Sequence, residues 1–270
     1  MLHVLKTIKS DICINILFSD ISNSNKLKIA NICIESKTEV RFLPVDKNFF
    51  EGLREMGHLQ IEAYYRMAIP SLIDAEKVLY LDCDILFMED VSNLFEIQID
   101  GFAIAAVEDP SYQPLNLLGM SEKSTYFNSG IMVINLEYWR SQKIPNKTLE
   151  FLKDNPEKIK YADQCALNAV IDGNFKQIDN MYNYQTGFIS IEPNIKIKPF
   201  IIHFTGSIKP TNYLCEHKYK DLYIKELRLS GFYYYIIFEN LLRRLVVTLN
   251  LYPITNFIKK IIFHLKVGKQ

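Results

Sequence analysis

Short apolar runs alternating with helical stripes set the plan of this chain. Ile12 to Phe18 is nearly all apolar and ends at Ser19-Asp20, which predicts a buried strand; Ser22 or Asn23 then caps a helix through about Glu35. Val40 to Val45 predicts a second strand, interrupted only by Arg41 and closed by Pro44. Ile61, Tyr64, Tyr65, Ala68 and Ile69 recur at helical spacing with Arg66 off that stripe, and the helix should stop at Ile69, before Pro70. Lys77 to Asp82 and Phe102 to Val107 are further strands. Tyr126 to Asn135 carries Phe127-Asn128-Ser129-Gly130 running into Ile131-Met132-Val133-Ile134, which reads as a polar turn at the mouth of one more strand. Ala162, Cys165, Ala166, Ala169 and Val170 mark one face of a helix over Lys160 to Asp172, and a last strand ends at His203. Strands alternating with helices predict an α/β fold with a mostly parallel, doubly wound sheet.

Three polar outcrops interrupt this pattern. The run Lys77-Val78-Leu79-Tyr80-Leu81 delivers Asp82 and Asp84 to a strand's carboxyl end, where α/β proteins place ligand chemistry. Two acids on one short turn repel each other, and a hard divalent cation such as Mn²⁺ or Mg²⁺ relieves that repulsion; the plain alternative is a strand followed by an Asx turn. Asp163 and Gln164 open a helix, where the backbone N–H groups favour an anion. His203 ends a strand, Gly206 permits close backbone approach, and Lys209 adds a positive charge. Two carboxylates and an imidazole make a mixed oxygen and nitrogen site suited to Mn²⁺, and a nucleoside diphosphate beside it is the economical ligand.

Composition narrows the classes. The 270 residues suffice for one catalytic-sized domain, and 31 basic against 31 acidic side chains argue against a general nucleic-acid binder. Five scattered cysteines without a C-x-x-C pair point to neither a disulfide framework nor a zinc site, and fit a reducing cytoplasm. No signal peptide or spanning segment is legible. From Leu241 to Gln270 there are six Lys or Arg and no acid. With the aromatic cluster Phe232 to Phe238 just before it, this stretch reads as an interfacial helix on an anionic membrane surface, against the alternative of a helix packed on the core. We therefore expect a domain over residues 1–225 and a basic, aromatic extension over 226–270, peripheral to the inner face of the cytoplasmic membrane.

Taken together, Tyr65-Arg66, V-L-Y-L-D-C-D (78–84), F-N-S-G-I-M-V-I-N-L (127–136) with Trp139, Y-A-D-Q-C-A-L-N (161–168) and H-F-T-G-S-I-K-P (203–210) resemble retaining glycosyltransferase family 8, the bacterial lipopolysaccharide galactosyl- and glucosyltransferases. The resemblance covers about residues 10 to 215 and rests on five motifs in order. It implies a GT-A-like fold, a Rossmann-related mixed sheet flanked by helices, with a C-terminal helical extension. It also implies a donor, UDP-galactose or UDP-glucose, and a saccharide or lipid-linked saccharide acceptor in surface-glycan synthesis. Carried over by residue, Asp82, Asp84 and His203 hold Mn²⁺, and Gly206 and Lys209 hold the diphosphate. Arg66, Asp82, Asn128, Ser129, Asp163 and Gln164 surround the donor sugar, with Gln164 and Asp163 closest to the chemistry.

Three departures accompany the resemblance. The family opens with a strand and turn that bind the uridine, whereas this chain opens inside what reads as the following helix, about twenty residues short. The D-Q-D block is D-Q-C, so Cys165 offers no second carboxylate, and Thr211 replaces an aromatic after the K-P pair. Two rivals remain at this point. An aspartate-nucleophile phosphatase is disfavoured by Leu86 and by the lack of a later G-D-x-x-N-D. The other is an inactive, binding-only homologue.

Overall fold

The computed structural model describes residues 11–53, 61–109, 115–186, 198–212, 214–234 and 236–238, with Ile8 and Leu241. Its strands are β1 (Cys13–Phe18), β2 (Glu39–Pro44), β3 (Lys77–Leu81), β4 (Ile85–Phe87), β5 (Ile104–Glu108), β6 (Phe127–Asn135), β7 (Phe175–Gln177), β8 (Tyr184–Gln185) and β9 (Ile201–His203). The longer helices are α1 (Asn23–Glu35), α2 (Leu136–Ser141), α3 (Ile144–Asp154), α4 (Ala162–Ile171) and α5 (Lys220–Leu229). The long apolar runs become strands within two residues of their expected bounds. The short β4, β7 and β8 have no sequence pattern of their own, since two or three residues are too few for a period to show.

Four strands form the central sheet in the order β3-β6-β5-β7. β5 and β7 are parallel, whereas β6 runs antiparallel to both β3 and β5. The sheet is thus mixed, with a larger antiparallel share than the strand-helix alternation suggests. It is buried on both faces. Met132 and Ile134 of β6 point into the core formed with Trp139 and with Leu152 of α3, and Ile131 and Val133 into the opposite one with Phe87 and Leu94. Trp139 is fully buried in the core and donates through Nε1 to the Ala103 carbonyl at 3.1 Å.

β1 and β2 form a parallel pair in a two-stranded sheet of their own. Ile12 joins the core of Leu79 and Leu81, and Leu17 joins that of Val78 and Tyr80, so this pair continues the layer of β3. Among the described residues β3 pairs only with β6 and β1 only with β2, which leaves one edge of each without a strand partner. β1 is consequently half-buried along most of its length, not buried as its apolar run suggests.

Three local readings are corrected. Ile61–Ala68 winds as a 3-10 helix, whose three-residue turn rotates Arg66 inward, so the residue off the apolar stripe is only 4% exposed. Helical structure also continues past Ile69, because Pro70 sits in the first turn of a short α-helix, Ile69–Leu72, where its missing N–H costs nothing. Finally, Phe127-Asn128-Ser129-Gly130 is the buried opening of β6 itself and not a turn. β4 pairs antiparallel with β9, and β8 parallel with β9, and α5 packs Leu222 and Tyr223 onto Leu86, Ile202 and Phe204 of this smaller sheet. The basic stretch from residue 242 onward lies outside the described residues, among which no helix is long and apolar enough to cross a membrane.

Candidate active site

Strand pairing alone brings the first polar cluster together. Leu81 ends β3, and the Asp82 N–H still bonds the Gly130 carbonyl of β6 at 2.8 Å, which fixes Asp82 beside that glycine. Three residues on, β4 begins; Ile85 pairs with His203 of β9, and the Phe204 N–H donates to the Asp84 carbonyl at 3.0 Å. His203 Nε2 then lies 3.3 Å from Asp84 Oδ1 and 3.7 Å from Asp82 Oδ2. One ligand atom from each of the three residues lies within 4.8 Å of the others, the geometry a single cation needs. The glycine provides the room: a Cβ at position 130 would sit 2.2 Å from His203 Cε1 and 2.7 Å from Asp82 Oδ2. Two oxygen donors and one imidazole around a space that a methyl group would fill suit a hard or borderline divalent ion.

Lys209 supplies the positive charge expected of it. Its ammonium contacts Asp84 Oδ2 and donates to the Phe204 carbonyl at 2.8 Å, in a loop that turns at Gly206 with φ +85°. Burial opposes the charged form of Asp84, but the His203 imidazole and the Lys209 ammonium outweigh it and hold this carboxyl well below the usual carboxylate range.

Arg66 joins the acid pair to the helix start. Its Nη2 donates to Asp82 Oδ1 at 3.1 Å, its Nη1 to the Ser129 carbonyl, and its guanidinium stacks 4.3 Å over the Tyr80 ring. Its Nε lies 2.9 Å from Asp163 Oδ2 but sends its proton to the Ala63 carbonyl at 3.2 Å. Asp163 Oδ2 is therefore buried beside a cation without a hydrogen-bond donor of its own. Burial, with the nearby Asp82 charge, overcomes the attraction of Arg66 and pushes the Asp163 carboxyl up to about 6. Tyr80, inside the 78–84 motif but assigned no role there, donates its hydroxyl to Asp82 Oδ1 at 2.8 Å.

Gln164 points the other way along β6. Its Oε1 accepts from the Ser129 N–H at 3.1 Å and from Asn128 Nδ2 at 3.2 Å, and its Nε2 donates to Asp109 Oδ2 at 3.1 Å. Asn168, one turn later, clamps α4 to β6 by bonding both the Phe127 N–H and its carbonyl, at 2.8 and 2.9 Å. The helix opens on Ala162 in the left-handed region at φ +40°, which is costly for a side chain and turns Asp163 and Gln164 toward β6. Cys165 faces away, its thiol 3.2 Å from the Tyr126 hydroxyl in the core, so the D-Q-C departure lies outside the polar cluster. All five cysteines are free thiols.

Most expected site residues thus meet in two adjoining clusters along β6: Asp82, Asp84, His203 and Lys209 in one, and Arg66, Asn128, Ser129, Asp163 and Gln164 in the other, with Asp82 shared through Arg66. Gly206 contributes a backbone turn, and a Cβ built on it would meet nothing within 4 Å. Four participants were not anticipated. Asp109 follows β5 as Asp82 follows β3, so an acid at a strand's carboxyl end was its available signal. Tyr80 and Gly130 lie inside the matching motifs but had no role assigned, and Asn183 carried no signal.

Known proteins match this chain closely enough to compare. The glycosyl transferase family 8 model matches residues 2–215. General stress protein A of Bacillus subtilis is 34% identical over 222 residues, covering 75% of this chain and 77% of that protein. Glycosyltransferase GlyF of Streptococcus pneumoniae is 26% identical over 225 residues, covering 79% of this chain and 53% of its own. In three dimensions, the crystal structure of galactosyltransferase LgtC with donor and acceptor sugar analogues superposes with a TM-score of 0.76 at 24% identity, over 85% of this chain and 90% of LgtC. That likeness establishes the GT-A-like fold.

Proposed function

The chain belongs to glycosyl transferase family 8 and is a glycosyltransferase, and on that premise we propose that it moves galactose or glucose from a UDP-sugar to a saccharide acceptor with retention of configuration. The observation that carries this reading is the convergence of Asp82, Asp84 and His203 within reach of one ion, with the Lys209 ammonium against Asp84. LgtC, a galactosyltransferase of the same fold, was crystallised with donor and acceptor sugar analogues, which supports a sugar nucleotide and a sugar acceptor as ligands here.

In this proposal Asp82, Asp84 and His203 hold Mn²⁺, or Mg²⁺, which when bound supplies Lewis-acid stabilisation to a leaving diphosphate. Lys209 and the loop at Gly206 take the same diphosphate; to do so Lys209 exchanges Asp84 for phosphate oxygens, adding charge stabilisation where it develops. Arg66, Asn128, Ser129 and Asp163 bind the hexose. Asp163 Oδ2 is the natural acceptor for a sugar hydroxyl, because satisfying a buried oxygen returns energy that the free site lacks. Gln164 stands behind the anomeric carbon, its amide dipole held at both ends by Ser129 and Asp109. The acceptor is a lipid-linked or free saccharide in surface-glycan synthesis. The basic C-terminal extension holds the protein at the inner face of an anionic membrane, without a part in nucleic-acid binding.

Turnover tests this reading. Purified protein should hydrolyse UDP-galactose or UDP-glucose in Mn²⁺, and Asp84→Ala should abolish it. A protein that binds both donors in Mn²⁺ yet never hydrolyses them would favour a binding-only homologue.

A further inference from the structure

Asn183 closes a 3-10 turn, Asn180–Asn183, that leads straight into β8, and the β8–β9 pairing sets Gln185 opposite His203. The asparagine is completely buried, and its amide touches two groups: one end lies 3.0 Å from Asn128 Oδ1 and the other 3.0 Å from His203 Nδ1.

Which atom faces which neighbour follows from the backbone. The Gly130 N–H is able only to donate, and it points at the Asn128 side chain from 3.0 Å, so the atom it meets is the Asn128 oxygen. Asn183 must then offer that oxygen its NH₂ group. Its own oxygen is left for His203 Nδ1, which must carry a hydrogen, so that in the neutral imidazole the lone pair is at Nε2, on the side of Asp82 and Asp84. The other end of the chain is anchored in the same way. The Ser129 N–H donates to Gln164 Oε1, so Asn128 Nδ2 donates to that oxygen and Gln164 Nε2 donates to Asp109, an acceptor. From His203 through Asn183, Asn128 and Gln164 to Asp109 every donor points the same way, and all five side chains are at most 9% exposed.

We infer that Asn183 is a positioning residue: it fixes His203 as the Nδ1–H tautomer, so that Nε2 faces the acid pair as a ligand. Through Asn128 it also ties the metal ligands to the residues around the donor sugar. This rests on the metal site proposed above, but the tautomer is readable without any metal. Partners of this kind on the far nitrogen of a ligating histidine commonly change metal affinity about 10- to 100-fold when removed.

Imidazole ¹H–¹⁵N spectra of metal-free protein in mildly alkaline buffer, with His203 assigned by its loss in His203→Ala, provide the test. The wild type should show Nδ1 protonated and Nε2 bare. Asn183→Ala should shift His203 toward the Nε2–H form and weaken Mn²⁺ binding by about 10- to 100-fold in a direct titration. Asn183→Asp keeps an acceptor against Nδ1 while setting an oxygen against Asn128 Oδ1, so it should retain the tautomer and lower the melting temperature. A wild-type His203 protonated at Nε2, or an Asn183→Ala protein with the original tautomer and affinity, overturns the inference. A wild type with the expected tautomer that binds no Mn²⁺ would leave the assignment of Asn183 standing and overturn the metal site instead.

Discussion

Gly130 lies directly under His203, so close that a Cβ on the glycine would stand 2.2 Å from the imidazole Cε1 and 2.9 Å from Nε2. Its φ is not in the left-handed region, so an alanine meets no backbone strain there; the glycine is required for space alone. Gly130→Ala should fold, lose about 1–3 kcal/mol from the forced displacement of His203 and Asp82, and bind Mn²⁺ at least about tenfold more weakly. Melting curves and a Mn²⁺ titration check both. In a His203→Ala background the stability cost should fall but not vanish, because the nearest clashing atom is gone while Asp82 Oδ2 at 2.7 Å remains. An undiminished cost would place the crowding elsewhere.

Lys209 neutralises Asp84 in the structure, the same charge a divalent ion would neutralise. Its removal should therefore have opposite effects on two ligands. Lys209→Ala should bind Mn²⁺ alone several-fold more tightly, since the ion no longer displaces an ammonium. It should bind UDP in saturating Mn²⁺ about tenfold more weakly, the loss of one charge-assisted contact to phosphate. Calorimetric titrations of each ligand separate the two, and a parallel change in both would contradict the exchange.

How the sequence relates to the site is clearest in particular residues. Asp82 and Asp84 were legible because a strand long enough to show its apolar run ends on them, and His203 because a second strand does. Arg66 was legible through its motif but misjudged in environment, since a 3.6-residue period places it on the solvent side and the 3-10 winding turns it inward. The half-burial of β1 depends on which strand lies next to it, and no local pattern encodes a neighbour. Asn183 is the extreme case: its role exists only because β8 pairs with β9 and a glycine N–H fixes Asn128 from elsewhere, two relations with no spacing in common.

The last described residues before the C-terminal stretch approach α1, where Lys28 Nζ lies 5.3 Å from the Phe232 ring. Beyond them the six basic side chains between residues 241 and 270 face no acid in their own segment. Near an anionic bilayer each is worth about 1 kcal/mol, and the attraction fades with salt. Deleting residues 231–270 should release the protein from phosphatidylserine-containing vesicles in a sedimentation assay while leaving UDP affinity unchanged. Full-length protein should detach as salt rises and ignore neutral vesicles. Unchanged sedimentation of the truncated protein would rule this role out.

Asp163 makes a prediction whose sign is unusual for a carboxylate. Its folded value of about 6 lies above that of an unfolded aspartate, about 3.9. Between those values the folded protein binds more protons than the unfolded chain, so stability falls as pH rises through the window. The contribution is fully present below about pH 4 and lost by about pH 6, on the order of 2–3 kcal/mol for so buried a group. Asp84 does not mask it: held below the usual range, it contributes stability above about pH 4 and loses it only as the solution becomes more acidic. Comparing denaturant unfolding of the wild type and Asp163→Asn at several pH values isolates the effect, since other titrating groups are shared. The difference between the two should change steadily from pH 4 to 6 in favour of the variant, and then level off. A flat difference would mean that Arg66 pairs with Asp163 alone and keeps it ionised, and the carboxyl would then enter sugar binding already charged throughout that range.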